Sequence, residues 1–390
     1  MRFYSLIIRN LFRRPARSIL TLLALTTAIG SVVGLSGISR GFTKSFSDIY
    51  QSHSVDIVVS RQGSADRLSS SVDESYAAEI LRIQGVARTA GVLLDTLSLE
   101  EEGVYGIPTM GVQPSSWLLE DYQVEGQNDF DLSGLDIKSS PDEEPIEAAG
   151  AAMLGIHLAD RLELEPGGTF RLFDELYVVS GVFRSPSTWE NGSMILPLAD
   201  LQMLTDRMGS VTYINVVLDQ SVSSEAAQSA INRIEKLDPR LLALATEDFV
   251  ETDTRMQLAG AMAFMTSAVA LVIGAISTLN TMLTSVLERT KEIGILRAIG
   301  WPARRIVSMI LLESCGLALA ASILGMLVAY VLTWLLSQAP AAKGILTPAI
   351  DGAVLAQGVV LAVVIGLIGA ILPAYRAARM LPTEAFRQQS

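Results

Sequence analysis

The segment MQLAGAMAFMTSAVALVIGAISTLNTMLTSVL, residues 256–287, runs for 32 residues without a charge, and ERTKEIGILRAIGWPARRI, residues 288–306, follows at once with seven charges. Crossing a hydrocarbon core of ~30 Å takes about 20 apolar helical residues at about 1.5 Å each. The first segment is therefore long enough to cross a membrane and project beyond it. Three other uncharged runs clear the same length: residues 18–39 (22), 314–342 (29) and 352–375 (24). A single segment survives in lipid only as a helix that pairs its own backbone groups, so the pattern predicts four transmembrane helices. The 18% of charged residues in the chain agrees, against about a quarter in soluble proteins.

Lys and Arg in short flanking segments set the orientation. Arg2, Arg9, Arg13, Arg14 and Arg17 precede the first span, Arg289, Lys291, Arg297, Arg304 and Arg305 lie between the second and third, and Arg376, Arg379 and Arg387 follow the fourth. All three basic segments share one side only if both termini are cytoplasmic, as four spans require. The first span is read as an uncleaved anchor, being longer than the apolar core of a secretory signal. Before it, residues 2–13 alternate basic and apolar stripes, which suits a short amphipathic helix on the inner surface, ending at Pro15. The expected organisation is a cytoplasmic N-terminal helix (1–17), spans at 18–39, 256–287, 306–336 and 352–375, an extracytoplasmic domain (40–255), a cytoplasmic loop (288–305), a short outer loop (337–351) and a cytoplasmic tail (376–390).

The extracytoplasmic segment holds 36 of the 41 acidic residues and 15 of the 29 basic ones, a net charge of −21. Such a surface offers no footprint for nucleic acid. None of the five lysines follows a glycine, so the chain contains no P-loop. His53 and His157 are the only histidines, neither in an HExxH setting, and are expected in surface or loop positions. The acidic run of Asp142, Glu143, Glu144 and Glu147 reads as a solvated loop. Cys315, the single cysteine, cannot form an internal disulfide and reads as a small packing residue. No catalytic residue, metal site or cofactor of its own is expected.

Within the extracytoplasmic segment, short apolar runs at 55–59, 104–112, 170–172, 177–183, 194–196 and 211–218 predict strands, while 75–82 and 224–237 predict amphipathic helices. The fold class expected is an α-helical membrane protein with four transmembrane helices and an α+β domain inserted between helices 1 and 2.

The spans carry a second signal. Ala263, Ser267, Ala270, Gly274, Ser277 and Thr281 recur at spacings of three and four, drawing a stripe of small residues along span two. Ala318, Ser322, Gly325 and Ala329 repeat it in span three, and Ala362, Gly366 and Gly369 in span four. Small residues let helix backbones approach closely in lipid, so these stripes are expected at helix contacts within the chain or with a second copy. Glu313 interrupts the apolar run of span three; a carboxylate there is costly. It reads either as part of a substrate or coupling path or as a hydrogen bond between helices or a headgroup contact.

The charged stretch itself is expected to prolong span two as a helix to Ile299, with Ile293, Leu296 and Ile299 on one face, a stop at Gly300 and a turn at Trp301-Pro302. A basic loop that only fixed topology would need neither the apolar face nor the turn. Glu288, Arg289, Glu292, Ile293, Leu296, Arg297, Ile299 and Gly300 are therefore the expected docking element for a cytoplasmic partner.

ERTKEIGILRAIGWPARRI with the following LLESCGLALAASILG resembles the FtsX/MacB family of ABC-transporter permeases, in which an E-R-x-x-E-I-G-x-L-R-A-x-G segment precedes a Glu-containing span. PAYRAARMLPTEAFR, residues 373–387, looks like that family's C-terminal signature, IIRNLFRRPARSILTLLAL like its start, and LADRLELEPGGTFRLFDELYVVSGVFRSPSTWENGSMILPLADLQML like its outer core domain. The resemblance implies a permease that works as a dimer, in the inner membrane, with a cytoplasmic ABC ATPase that binds ATP and Mg. Because the chain starts directly at the first span, the ATPase is expected on another polypeptide. An extracytoplasmic adaptor and membrane lipids are further expected partners. The role implied is export driven by motion passed through the membrane; the alternative is an FtsX-like relay to an outer partner such as a cell-wall hydrolase.

Overall fold

The computed structural model describes residues 15–63, 69–133, 135, 137, 148–219, 224–338 and 348–380. The basic stretch 2–13, the acidic run 142–147 and the end of the C-terminal signature beyond 380 lie outside the described residues. The described residues divide into two compact units, one drawn from residues 15–41, 259–336 and 348–380 and the other from residues 42–258 together with 337–338.

The long helices are α1 (Pro15–Ser52), α2 (Thr254–Glu288), α4 (Ala303–Ser337) and α5 (Gly352–Arg379), with a short helix, α3 (Thr290–Ala298), between α2 and α4. The four long ones are apolar and long enough to cross a membrane. Asp351 caps α5, its side chain accepting from Val354 N–H, and also pairs with Arg40 at 3.3 Å. Their contacts run through small residues. A Cβ placed on Gly325 would stand 2.9 Å from Thr26 O and 3.1 Å from Gly30 N, so α4 meets α1 backbone to backbone. Gly369 of α5 stands likewise against Thr278 and Ala275 of α2, and Ser314 donates to Gly366 O at 2.8 Å, tying α4 to α5. With lipid as apolar as leucine, close approach of this kind is what attracts helices.

The other unit is built on a sheet with strands β1 (Ile57–Arg61), β2 (Val72–Asp73), β3 (Val86–Leu99), β4 (Val104–Val112), β5 (Gln123–Gly126), β6 (Gly150–Gly155), β7 (Thr169–Leu172), β8 (Glu175–Arg184), β9 (Met194–Pro197), β10 (Ser210–Val211), β11 (Tyr213–Leu218) and β12 (Leu241–Ala245). Ten of them form one sheet in the order β12-β1-β11-β3-β4-β9-β6-β8-β5 with β7 beside β8; β2 and β10 pair separately. Pairing is antiparallel except for β4 with β9 and β6 with β8. Alternate residues face opposite sides of a strand. Ile57, Val59, Leu93, Leu154 and Ile214 accordingly enter a core that includes Ile231 and Ile234 of the helix Ser224–Glu235. Val58, Val92, Leu94, Met153 and Tyr213 enter a second core with Phe46, Ile49 and Tyr50 from the end of α1 and Met256 from the start of α2. Both faces are thus buried.

Candidate functional site

The segment after α2 departs from the expected continuous helix. Arg289, at φ −104° and ψ 19°, breaks the run between Glu288 and Thr290, and α3 is a separate helix. The break coincides with a tertiary contact: Nη1 of Arg289 donates to both carboxylate oxygens of Glu313, at 3.0 and 3.1 Å. Both side chains are largely buried, 18% and 7% exposed. Glu313 thus makes a polar contact that joins α4 to the α2–α3 junction. A carboxylate among apolar neighbours needs such a partner, because an ion removed from water without one costs several kcal/mol.

The end of α3 is fixed by its backbone. Gly300 has φ +98°, Gly300 N–H donates to Arg297 O and Trp301 N–H to Leu296 O, both at 3.0 Å. That is a Schellman cap, and Leu296 and Trp301 pack on the same apolar cluster, as the cap favours. The Arg297 guanidinium donates to Trp301 O at 3.2 Å while its Nε is buried with no hydrogen-bond partner among the described residues. The Arg305 guanidinium stacks 4.4 Å above the Trp301 ring.

Packing divides the apolar residues expected on one docking face. Ile293 is 2% exposed and Leu296 half-buried, both against Met282 and Val286 of α2, Ile306, Met309 and Ile310 of α4, and Ala370, Ala374 and Ala377 of α5. Ile299 is 72% exposed and Ile295 45%. Lys291, Glu292, Ile295, Ala298 and Ile299 form the outward face, and Glu288 is exposed before the break. The helix is thus pinned to α2, α4 and α5 by one side while the opposite side carries two isoleucines among charges. Both Ile293, in α3, and Ile299, at its C-cap, lie beyond the break, but six residues at about 3.6 per turn put them on different sides of that helix, so Ile293 packs inward while Ile299 faces out.

The small residues of span two face inward. Ala270 and Gly274 are buried, Ala263, Ser267 and Ser277 half-buried, and Phe264, Met265, Ile273 and Ile276 more than half exposed on the other side. A Cβ at Gly274 would stand 3.0 Å from Ile365 of α5 and 3.4 Å from Leu25 of α1. Gly325 packs on Gly30, as above.

A polar cluster in the sheet unit has no counterpart in the sequence expectations. His53, just past the end of α1, is 3% exposed rather than at the surface. Its Nδ1 lies 2.9 Å from Asp121 Oδ2, and its Nε2 3.2 Å from Tyr122 Oη and 3.3 Å from Glu190 Oε1. Tyr122 donates to Glu190 at 2.7 Å, Ser185 donates to its other oxygen, and Ser187 donates to Ser45 O of α1 at 2.9 Å. Burial lowers the His53 imidazole, but the hydrogen bonds and negative charge of Glu190 and Asp121 outweigh it and hold the ring above its ordinary value. Burial and the neighbouring Glu190 carboxylate push the Tyr122 hydroxyl well up, so it stays a donor. His157 is half-buried in the helix Ile156–Leu162. Among the described residues no group of His, Cys, Asp and Glu could hold a metal.

Comparison with known families agrees with this architecture. Residues 18–234 match the MacB-like periplasmic core domain, and residues 264–382 match the FtsX-like permease C-terminal family. The macrolide export ATP-binding/permease protein MacB of Nitrobacter winogradskyi is 25% identical over 386 residues, 95% of this chain and 58% of that protein. The ABC transporter permease YknZ of Bacillus subtilis is 34% identical over 123 residues, 32% of this chain and 30% of that one. The periplasmic region of MacB from Actinobacillus actinomycetemcomitans aligns over 52% of this chain and 94% of that structure, with a TM-score of 0.38 and 13% identity. The chain therefore spans little more than half the length of the first of these relatives, and both matched regions are permease regions. With the core-domain match alone covering more than half of its residues, the protein belongs to the FtsX/MacB family of ABC-transporter permeases, with four membrane helices and a mixed α/β domain between the first and second.

Proposed function

We propose that this permease couples ATP hydrolysis on a separate cytoplasmic ABC ATPase to motion of its extracytoplasmic domain, and that the motion exports a substrate at the outer face of the inner membrane. The observation that carries the reading is the placement of α3, pinned to α2, α4 and α5 by Ile293, Leu296, the Gly300 cap and the Arg289–Glu313 pair while Glu292, Ile295 and Ile299 face outward. A push on that outer face is delivered to three membrane helices at once, because packed interiors shift as units and do not deform locally. Both termini and α3 are cytoplasmic in this reading, supported by the basic residues at each of these segments. ATP and Mg belong to the ATPase, the permease acts as a homodimer, and an extracytoplasmic adaptor receives the substrate. Export rather than relay is favoured by the relatives, whose names include macrolide and pyoverdine export.

The test is ATP-dependent movement of a reporter lipopeptide or amphipathic drug in vesicles holding the permease and a co-expressed candidate ABC ATPase. Transport that needs both proteins supports export. Nucleotide-dependent assembly whose ATPase rate responds to an outer protein, with nothing moved, supports the relay instead. Absence of any nucleotide-dependent assembly sinks both.

A further inference from the structure

Between the first turns of α4 and the last turns of α5 lies a groove of about 380 Å³. Its lining includes Arg304, Val307, Ser308 and Leu311 from α4 and Tyr375 and Arg379 from α5. On α4 these residues recur at helical spacing on one face, as do Tyr375 and Arg379 one turn apart on α5. The groove is therefore built from two helices held at a fixed separation by the alanine contacts beneath it, where Ala374, Ala377 and Ile306 are fully buried.

The order of its lining along the helices is the informative feature. Arg304 precedes Val307 and Leu311 on the way into the apolar run of α4, and Arg379 follows Tyr375 on the way out of that of α5. Both guanidinium groups thus stand at the rim next to the charged segments, and the apolar wall extends about 10 Å inward from Arg304 to Leu311. Arg304 and Arg379 are exposed, no carboxylate among the described residues lines the groove, and the Arg379 guanidinium is braced 4.3 Å above the Tyr375 ring. Two bidentate donors beside a hydroxyl suit a phosphodiester, and an apolar slot directly inward of them suits an acyl chain. An inorganic phosphate would have no use for the slot, and a soluble protein would have none for a slot directed into the bilayer.

We infer that this groove is a binding site for one anionic phospholipid of the inner leaflet, with its phosphate between Arg304 and Arg379 and an acyl chain along Val307, Leu311 and Tyr375. The leaflet rests on the orientation proposed above; the lipid chemistry does not. Because the groove joins α4 and α5, which both pack against α3, an occupied site braces the base of the proposed docking element.

The full chain carrying Cys315→Ala and Ser308→Cys is placed in phosphatidylcholine nanodiscs, phosphatidylglycerol is titrated in, and protection of the introduced thiol from a maleimide is read. Protection is expected to rise with phosphatidylglycerol. Arg304→Gln with Arg379→Gln should raise the lipid fraction needed for half-protection about 30-fold, at about 1 kcal/mol for each basic residue, while Arg376→Gln, an exposed arginine outside the groove, should leave it unchanged. Equal effects of the two sets of substitutions, no dependence on phosphatidylglycerol, or equal protection by inorganic phosphate would each overturn the site. Protection by the ATPase but not by the lipid would overturn it in favour of a protein partner. Sealed cells and inverted vesicles treated with an impermeant maleimide separate the leaflet from the chemistry. Labelling in inverted vesicles alone is expected; labelling from outside would overturn the orientation while the titration still judges the groove.

Discussion

Arg289 and Glu313, 24 positions apart, form a buried ion pair with both carboxylate oxygens within 3.1 Å of one guanidinium nitrogen, and the helix break at Arg289 is where the pair is made. The junction of α2 and α3 is thereby tied to the middle of the first half of α4. Removing one partner leaves the other charge in an apolar cluster, whereas removing both leaves a cavity that apolar side chains can fill. Arg289→Met is expected to destabilise the helix unit by about 3 kcal/mol, and Arg289→Met with Glu313→Leu to recover most of that loss. Thermal unfolding in detergent measures both; equal destabilisation by the single and double variants would show that the pair is not coupled.

Gly300 sits at φ +98° with open space where a Cβ would go, so strain rather than a clash is the penalty for a side chain. Gly300→Ala should cost about 1 kcal/mol and loosen the end of α3. Hydrogen exchange of the Gly300 and Trp301 amides, which close the cap, is expected to accelerate at least several-fold, with no change in the amides of α5.

The helix seams make opposite expectations for different glycines. Gly369 has Thr278 Cβ 2.5 Å and Ala275 O 2.9 Å from where its own Cβ would be, so Gly369→Val should separate α5 from α2 and cost about 1–3 kcal/mol. Gly316, also within a long helix, has nothing within 4 Å, and Gly316→Ala should be neutral or stabilising by up to about 1 kcal/mol. Detergent-resistant thermal unfolding of the two variants side by side tests the packing directly.

The His53 cluster makes stability depend on pH with a definite sign. Folded His53 titrates above its ordinary value because Glu190 and Asp121 outweigh burial. Its contribution is therefore full below about pH 6.5, the unfolded value, and is lost as pH rises through the raised folded value. The melting temperature of the extracytoplasmic domain in the full chain should fall as pH rises above about 6.5, and His53→Asn should flatten that slope. A slope of the opposite sign, or one unaffected by the substitution, would contradict the assignment.

Much of this was legible because lipid is a demanding solvent. Four uncharged runs of at least 22 residues leave few alternatives to spanning helices, and the small residues at spacings of three and four do fall on the inward sides. The strand signal was clear where β-branched and aromatic residues cluster, as in Tyr213–Leu218, and weak where glycine, alanine and charged residues interrupt it. β3 carries consecutive buried residues such as Leu93 and Leu94 as well as Arg88 and Asp95, and β6 reads GAAMLG, with little intrinsic strand preference. The helix break at Arg289 depends on a partner 24 residues away, and the His53 cluster on groups 68 and 137 residues away. No local periodicity carries such information.

The most direct measurement of the central claim uses α3 itself. The permease is co-purified with a co-expressed candidate ABC ATPase, with and without a non-hydrolysed ATP analogue, comparing the wild type with Glu292→Arg plus Ile299→Asp, which alter only the outward face. The expected result is that the variant inserts and melts like the wild type but loses at least tenfold in nucleotide-dependent association and in stimulated ATPase rate. Full association and an unchanged rate in the variant would contradict the assignment of α3 as the input of the machine.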